Sequence, residues 1–194
     1  MSTYHPSLTL REALNIFFAK HNLGEEGGLN NNVAYLDMKY FRIPFPNTES
    51  RKRALVFHDI HHIVTGYESD WQGEAEIGAW EVSTGCGDFT AALVLDLGGI
   101  AVGLIFFPRK TFRAFIRGRR TQNLYRNHYK KEDLMKMSIA QIQDLLQLNK
   151  ADNSPAKAKE VLAFIGWSLV SALWYLPFLV LCAAIGFGAY RLVG

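Results

Sequence analysis

The chain has 194 residues, 49% of them hydrophobic, and a formal net charge of +3. That length is one ordinary domain with room for an appendage, and the apolar share excludes global disorder. The mild charge gives no general case for nucleic acid, and two cysteines without CxxC spacing exclude a disulfide framework or a thiolate metal site.

Taken from the start, MSTYHPSLTLREAL lacks a basic segment followed by an apolar run, so no cleaved signal peptide is expected. Thr9 and Glu12 are spaced as a capping box, and Leu10, Ala13, Leu14, Phe17 and Phe18 recur at helical spacing. Residues 22–32, NLGEEGGLNNN, read as a loop. RIPFPN (42–47) is extended, because each proline disfavours helix at the preceding residue. Asn47 or Thr48 then caps a helix running through ESRKRALVFHDIHHIVT, and Gly66 ends it as a left-handed residue. Ser69 and Gln72 form a second capping-box pattern, restarting a helix at about Asp70.

This first long helix holds three of the chain's six histidines, in HDIHH. His58, Asp59 and His62 stand at i, i+1 and i+4, a compact triangle on a helix. Two imidazoles so spaced reach one divalent ion, and His61 at i+3 is the poorer partner. Glu74 would lie about 18 Å from His62 along an uninterrupted helix, which is too far to join them. The turn signals at Thr65, Gly66, Tyr67, Ser69 and Asp70 argue instead for a tight reversal that brings Glu74 back. Two histidines and two carboxylates suit Zn, Fe(II) or Mn(II). The carboxylates can alternatively orient the ligands or act as a general base. Glu76 and Glu81 read as solvated or structural.

The helix carrying these acids breaks at STGCG (83–87). FTAALVLDLGGIAVGLIFF (89–107) follows, apolar except for Asp96, and reads as a buried helix too short to span. Gly99 and Gly103, four apart, permit close approach of another helix or of a ligand. Residues 109–131 carry nine Lys or Arg and no acid. Arg113, Arg117 and Arg120 share one stripe, suited to anionic headgroups or a phosphorylated substrate, while Phe112, Phe115 and Ile116 face inward. KEDLMKMSIAQIQDLLQLNK reads as an amphipathic helix and 151–160 as a linker. From Val161 to Tyr190 no charge occurs, which is long enough to cross a bilayer core about 30 Å thick. Pro177 either kinks one tilted helix or divides two shorter ones. Basic residues before this run, against Arg191 alone after it, leave the body on the cytoplasmic side of a bacterial inner membrane.

The expectation is therefore an all-α chain: a compact helical domain over 1–150, a linker, and a hydrophobic anchor over 161–194. At this point a family resemblance enters. His58-Asp59-x-x-His62, with Glu74 after eleven intervening residues, resembles the signature of the fourth coenzyme Q (ubiquinone) biosynthesis protein and its bacterial relatives. PFPN before the helix, TGY after the histidines, and GRR near 120 agree, over roughly residues 8–148. The resemblance implies a helical fold with a divalent metal, usually zinc, on His58, Asp59, His62 and Glu74, beside a hydrophobic cavity for a polyprenyl tail. It implies a metal-dependent lyase or oxidoreductase that removes the ring carboxylate of a prenylated 4-hydroxybenzoate-type precursor and hydroxylates the same carbon. Its partners would be the polyprenylated aromatic lipid, the membrane, other quinone-biosynthesis proteins and, in a homodimer, a second copy, with no nucleic acid. Arg113, Arg117, Arg120, Gly99 and Gly103 are the residues expected to meet lipid or headgroup. The alternative is a non-catalytic isoprenoid-binding scaffold in which the metal is structural. A third reading, an HD-type phosphohydrolase, needs an upstream histidine, where only His5 and His21 are available, and a downstream aspartate ligand. The apolar tail departs from the family pattern.

Overall fold

The computed structural model describes residues 4–22, 29, 33–37, 42–126, 129–150 and 154–193. The fold is all-α in class. The chain runs α1 (Leu10–His21), β1 (Val33–Asp37), β2 (Arg42–Pro46), α2 (Glu49–Thr65), α3 (Trp71–Thr84), α4 (Thr90–Phe106), α5 (Pro108–Gly118), α6 (Lys131–Leu134), α7 (Ile139–Leu145), a short 3-10 turn (Leu148–Lys150) and α8 (Ala158–Val193). The prolines of RIPFPN sit in β2, which pairs antiparallel with β1 from Val33↔Pro46 to Asp37↔Arg42. This pairing goes beyond the expectation for 42–47, which was of an extended segment only. The loop expected at 22–32 lies largely outside the described residues.

Capping residues set most helix starts. Thr9 Oγ1 accepts from the Glu12 N–H at 3.3 Å, and Glu12 returns the favour by accepting from the Thr9 N–H at 2.8 Å. Thr48 caps α2, and Gly66 closes it with φ 78°, a conformation that costs glycine nothing. The start of α3 differs from expectation: Asp70, not Ser69, is the cap, its carboxylate accepting from Gly73 N–H at 2.7 Å. Ser69 instead donates to Glu74 at 3.3 Å. The expected single amphipathic helix over KEDLMKMSIAQIQDLLQLNK is broken into α6 and α7. Ser138 and Gln141 form their own capping box, a stronger local signal than the apolar periodicity running through it. Backbone bonds Leu10 N–H to Met137 O and Ile139 N–H to Leu8 O, both 2.9 Å, clip the starts of α1 and α7 together.

α3 is the central helix, with α4 and α5 against it. Ile77, Ala79 and Trp80 are fully buried, and the Trp80 indole donates to Thr121 Oγ1 at 2.9 Å. Around them pack Leu10, Ile60, Ile63, Ile100, Phe115 and Ile142, each worth about 1.5–3 kcal/mol of transfer free energy. Small residues make the α3–α4 contact possible. A Cβ on Gly99 would stand 2.9 Å from the Glu74 carbonyl oxygen, and one on Gly78 3.0 Å from the Asp96 carbonyl oxygen. Gly103 likewise faces Ala75 and Thr111.

α4 was expected to be buried and is buried on one face only. Ala92, Asp96, Leu97 and Ile100 point inward, whereas Leu95, Ile105 and Phe106 are exposed. α8 runs unbroken through Pro177, so it is one helix and not a hairpin of two. It already begins at Ala158, inside the expected linker. Its first half packs on the body: Ser171 Oγ donates to Leu97 O at 2.6 Å, Tyr175 OH to Val94 O at 3.0 Å, and Phe164 contacts Phe112 and Phe115. Among the described residues α8 is the helix long and apolar enough to cross a membrane.

Candidate metal centre

The reversal at Gly66–Asp70 lays α3 back along α2, and Glu74, in the first turn of α3, returns to the histidines. His58 Nε2 and His62 Nε2 stand 3.1 Å apart, and each is 3.4 Å from an oxygen of Glu74. Donors held 2.0–2.1 Å from a shared tetrahedral ion lie roughly 3.3 Å from one another. The two histidines and the Glu74 carboxylate, one oxygen toward each ring, therefore have the spacing of ligands around one cation.

Hydrogen bonds on the far side of each ring decide which nitrogen faces the centre. The Tyr67 carbonyl, 3.0 Å from His62 Nδ1, can only accept, so Nδ1 carries the proton. Glu81 does the same for His58, its carboxylate lying 3.1 and 3.2 Å from Nδ1. In the neutral rings both Nε2 lone pairs then point at each other and at a carboxylate. Such an arrangement calls for a positive charge between them, which a proton on His58 or a bound cation can supply.

Glu81 anchors a second, buried web. It is fully enclosed, and besides His58 it accepts from His61 Nδ1 at 2.5 Å and lies 3.2 Å from the Tyr125 hydroxyl. His61 Nε2 accepts from the Leu124 N–H at 3.0 Å, so this histidine is neutral and spoken for on both sides. Asp96 is held well above the carboxylate range by its burial and by the negative charge of Glu81, with which it is hydrogen-bonded. The Cys86 thiol approaches Asp96 at 3.5 Å and is pushed far up by burial. Burial would also raise Glu81, but the charges and hydrogen bonds of His58 and His61 pull it strongly down. His58, Glu81 and Asp96 lie close enough together to form a second set of donors sharing His58. The carboxylate–histidine arrangement fixes the ring and raises its basicity. Burial acts to lower the His58 pKa, yet Glu81 and Glu74 outweigh it and hold the ring well above its ordinary value. Glu74 is kept well below the usual range, burial being overcome by His62 and His58.

Of the residues expected as ligands, His58, His62 and Glu74 come together; Asp59 does not join them. Its carboxyl is buried, pushed up to about 6 by that burial, and lines a cavity of about 340 Å³ with Arg11, Leu14, Phe18, Val56, Lys131 and Met135. The side chain of His62 is enclosed and that of His58 partly buried, while that of Glu74 is 42% exposed, leaving one approach open to solvent. Phe17 stacks on His62 at 6.0 Å between ring centres.

The remaining expected residues are distributed elsewhere. Gly99 and Gly103 face α3 and the start of α5, where they make helix contacts. Arg113 is exposed. Arg117 donates to Thr65 O at 3.0 Å and lies over the Tyr67 ring, bracing the reversal. Arg120 grips Glu160 with two bonds of 3.0 and 2.8 Å and the carbonyls of Ser154 and Pro155, fastening the start of α8. Glu81 and Asp96 were not singled out as site residues. The available signal was spacing: Glu81 follows Glu74 by seven residues, two helical turns, and so shares its face. No family model, curated protein or solved structure matches the chain.

Proposed function

We propose that this chain is a membrane-associated, metal-dependent enzyme of ubiquinone biosynthesis. Its substrate would be a prenylated 4-hydroxybenzoate-type ring, decarboxylated and hydroxylated at one carbon. The observation that carries the metal is the pair of facing Nε2 atoms, 3.1 Å apart, with both Nδ1 protons committed elsewhere. His58, His62 and Glu74 would hold the ion, with Glu81 orienting His58. The lipid class rests on the resemblance of the HDxxH…E pattern, with support from the exposed apolar helices. When bound, zinc would polarise the ring carboxylate and phenol as a Lewis acid, whereas iron in the same two-His, one-carboxylate set would bring oxygen chemistry.

A scaffold with a structural metal would close the ion with four protein donors. Among the described residues three converge, and the Glu74 side is open to solvent, which favours catalysis. The cavity at Asp59 supplies an apolar wall, with Arg11 and Lys131 as cationic and Asp59 and Glu132 as acidic groups, next to the helix that carries the ligands. The test is paired. Elemental analysis of the purified protein should find one divalent ion per chain, lost in Glu74→Ala and His62→Ala. Quinone production should fall to background in both variants with fold and membrane attachment retained. Undiminished quinone in either variant refutes the assignment.

A further inference from the structure

We infer that α4 and α8 together form a platform that lies flat in one leaflet of a lipid bilayer, in place of α8 crossing it. The inference rests on the membrane association proposed above and is independent of the metal chemistry.

The two helices are antiparallel neighbours. Ser171 bonds Leu97 and Tyr175 bonds Val94, so the chain advances along α8 as it retreats along α4. Gly98 sits directly beneath Tyr175, where a Cβ would come within 2.6 Å of its hydroxyl. Both helices turn large apolar side chains to the outside. On α4 these are Leu95 (49% exposed), Ile105 and Phe106 (68% each); on α8 they include Leu162, Leu173 and Trp174. The exposed face is thus shared between two elements, and a tail anchoring by itself would leave the α4 part without a partner.

The charges at the two ends, and the one beside the middle of the pair, decide the orientation. At the start of α8 and the end of α4, Lys157, Lys159, Arg109, Lys110 and Arg113 are exposed, and the neighbouring Glu160 is neutralised by Arg120. This rim is cationic and suits anionic headgroups. The opposite end is charged too. Asp88 stands just before Phe89, the residue that leads into α4, Arg53 lies over the Phe89 ring at 5.5 Å, and Arg126 packs at Gly85. All three side chains are exposed. If α8 crossed the membrane from Lys159, Ser171 would lie about 18 Å along it, near the middle of a hydrocarbon layer about 30 Å thick. Leu97, bonded to Ser171, and nearby Gly99 would be carried to the same depth, and with them the half-exposed Glu74, whose carbonyl oxygen packs against Gly99. Charges there are costly unless paired inside protein. With the pair lying flat, both charged ends rest in the headgroup layer and the apolar face between them enters the acyl chains, as amphipathic monotopic elements do.

The test uses the full chain with an epitope tag at each end, in sealed membranes. In inverted inner-membrane vesicles, added protease should remove both tags; in intact spheroplasts both should survive. A C-terminal tag protected in inverted vesicles and lost in spheroplasts means that α8 spans, and overturns the inference. Recovery of the chain in the soluble fraction, alone or as a dimer covering this face, overturns it together with the membrane part of the proposed function, while bound metal remains a separate readout. A second arm separates a flat pair from a short re-entrant tail. Leu95→Asp and Phe106→Asp, both on exposed positions of α4, should each weaken binding to vesicles of one part phosphatidylglycerol to three parts phosphatidylethanolamine by about tenfold or more. Unchanged binding, with helicity confirmed by circular dichroism, overturns the inference.

Discussion

His58 has two sides, and they are built on opposite principles. Its Nε2 faces His62 and a half-exposed Glu74, with donors spaced for an ion and an approach left open. Its Nδ1 faces Glu81, which is sealed from water and surrounded by His61, Tyr125 and Asp96. Both sides consist of histidine and carboxylate, so composition does not distinguish them. Burial and saturation do. A carboxylate whose partners are all protein is a structural brace, and one left partly in solvent with too few partners is available to a ligand.

The largest effect expected from this contrast is on stability. Glu81→Ala should destabilise the metal-free protein by about 3–5 kcal/mol, because it strands a buried ion-paired network. Glu74→Ala should cost clearly less in chemical denaturation of the same metal-free protein. For metal affinity the order should reverse. Glu81→Gln, by loosening a ligand's support, should weaken binding by about 10–100-fold. Glu74→Ala, by deleting a ligand, should weaken it further, as read by competition with a chromophoric chelator. Equal effects of Glu74 and Glu81 on both quantities would erase the distinction.

A smaller effect tests the helix contact behind the open side. Gly99→Ala gains about 1 kcal/mol of helix propensity. Its Cβ, however, meets the Glu74 carbonyl oxygen at 2.9 Å, a backbone obstacle that cannot swing aside. Overpacking of this kind costs about 1–3 kcal/mol. The net expectation is a modest loss of stability, by about 1 kcal/mol in thermal denaturation, together with weaker metal binding because Glu74 is displaced. Retained affinity would show that α4 does not set the position of that ligand.

The smallest effect concerns the latch between body and tail. Hydrogen bonds from Arg120 bring Glu160 down to about 2 from its usual 4.5. A depressed carboxylate stabilises above its unfolded value, and that contribution disappears as pH falls through the folded value. The stability difference between the wild type and Glu160→Gln, about 1 kcal/mol or less, should be constant above pH 5 and shrink toward pH 2. A difference that instead grew on acidification would remove Arg120 from this role.

Local signals proved readable wherever a single turn of chain decides the outcome. The Thr9–Glu12 box, the Thr48 cap and the Gly66 stop are each written in a few residues, and so is the i, i+4 histidine pair. The return of Glu74 was readable too, because the turn residues between Thr65 and Asp70 leave little alternative to a reversal. What escaped depends on packing between distant segments. Asp59 has the right spacing for a ligand, yet burial beside α1 and Lys131 places it on the cavity. Glu81 reads like any helix acid until Tyr125, 44 residues later, closes over it. Arg117 and Arg120 read as part of a stripe for anionic headgroups or a phosphorylated substrate, and only the tertiary fold supplies Thr65 and Glu160 as their acceptors. The outward face of α4 was missed for a related reason: an apolar helix says nothing about how many neighbours will cover it.

The tautomers of His58 and His62 carry one more consequence. Each ring is pinned at the back by an acceptor that offers no proton in exchange, so neither can rotate by a half turn and present its other nitrogen. On the proposed metal-binding reading, the receptor would be assembled before its guest arrives, and capture need not wait for reorganisation. Selectivity among divalent ions would then be decided by the rigid size of the gap.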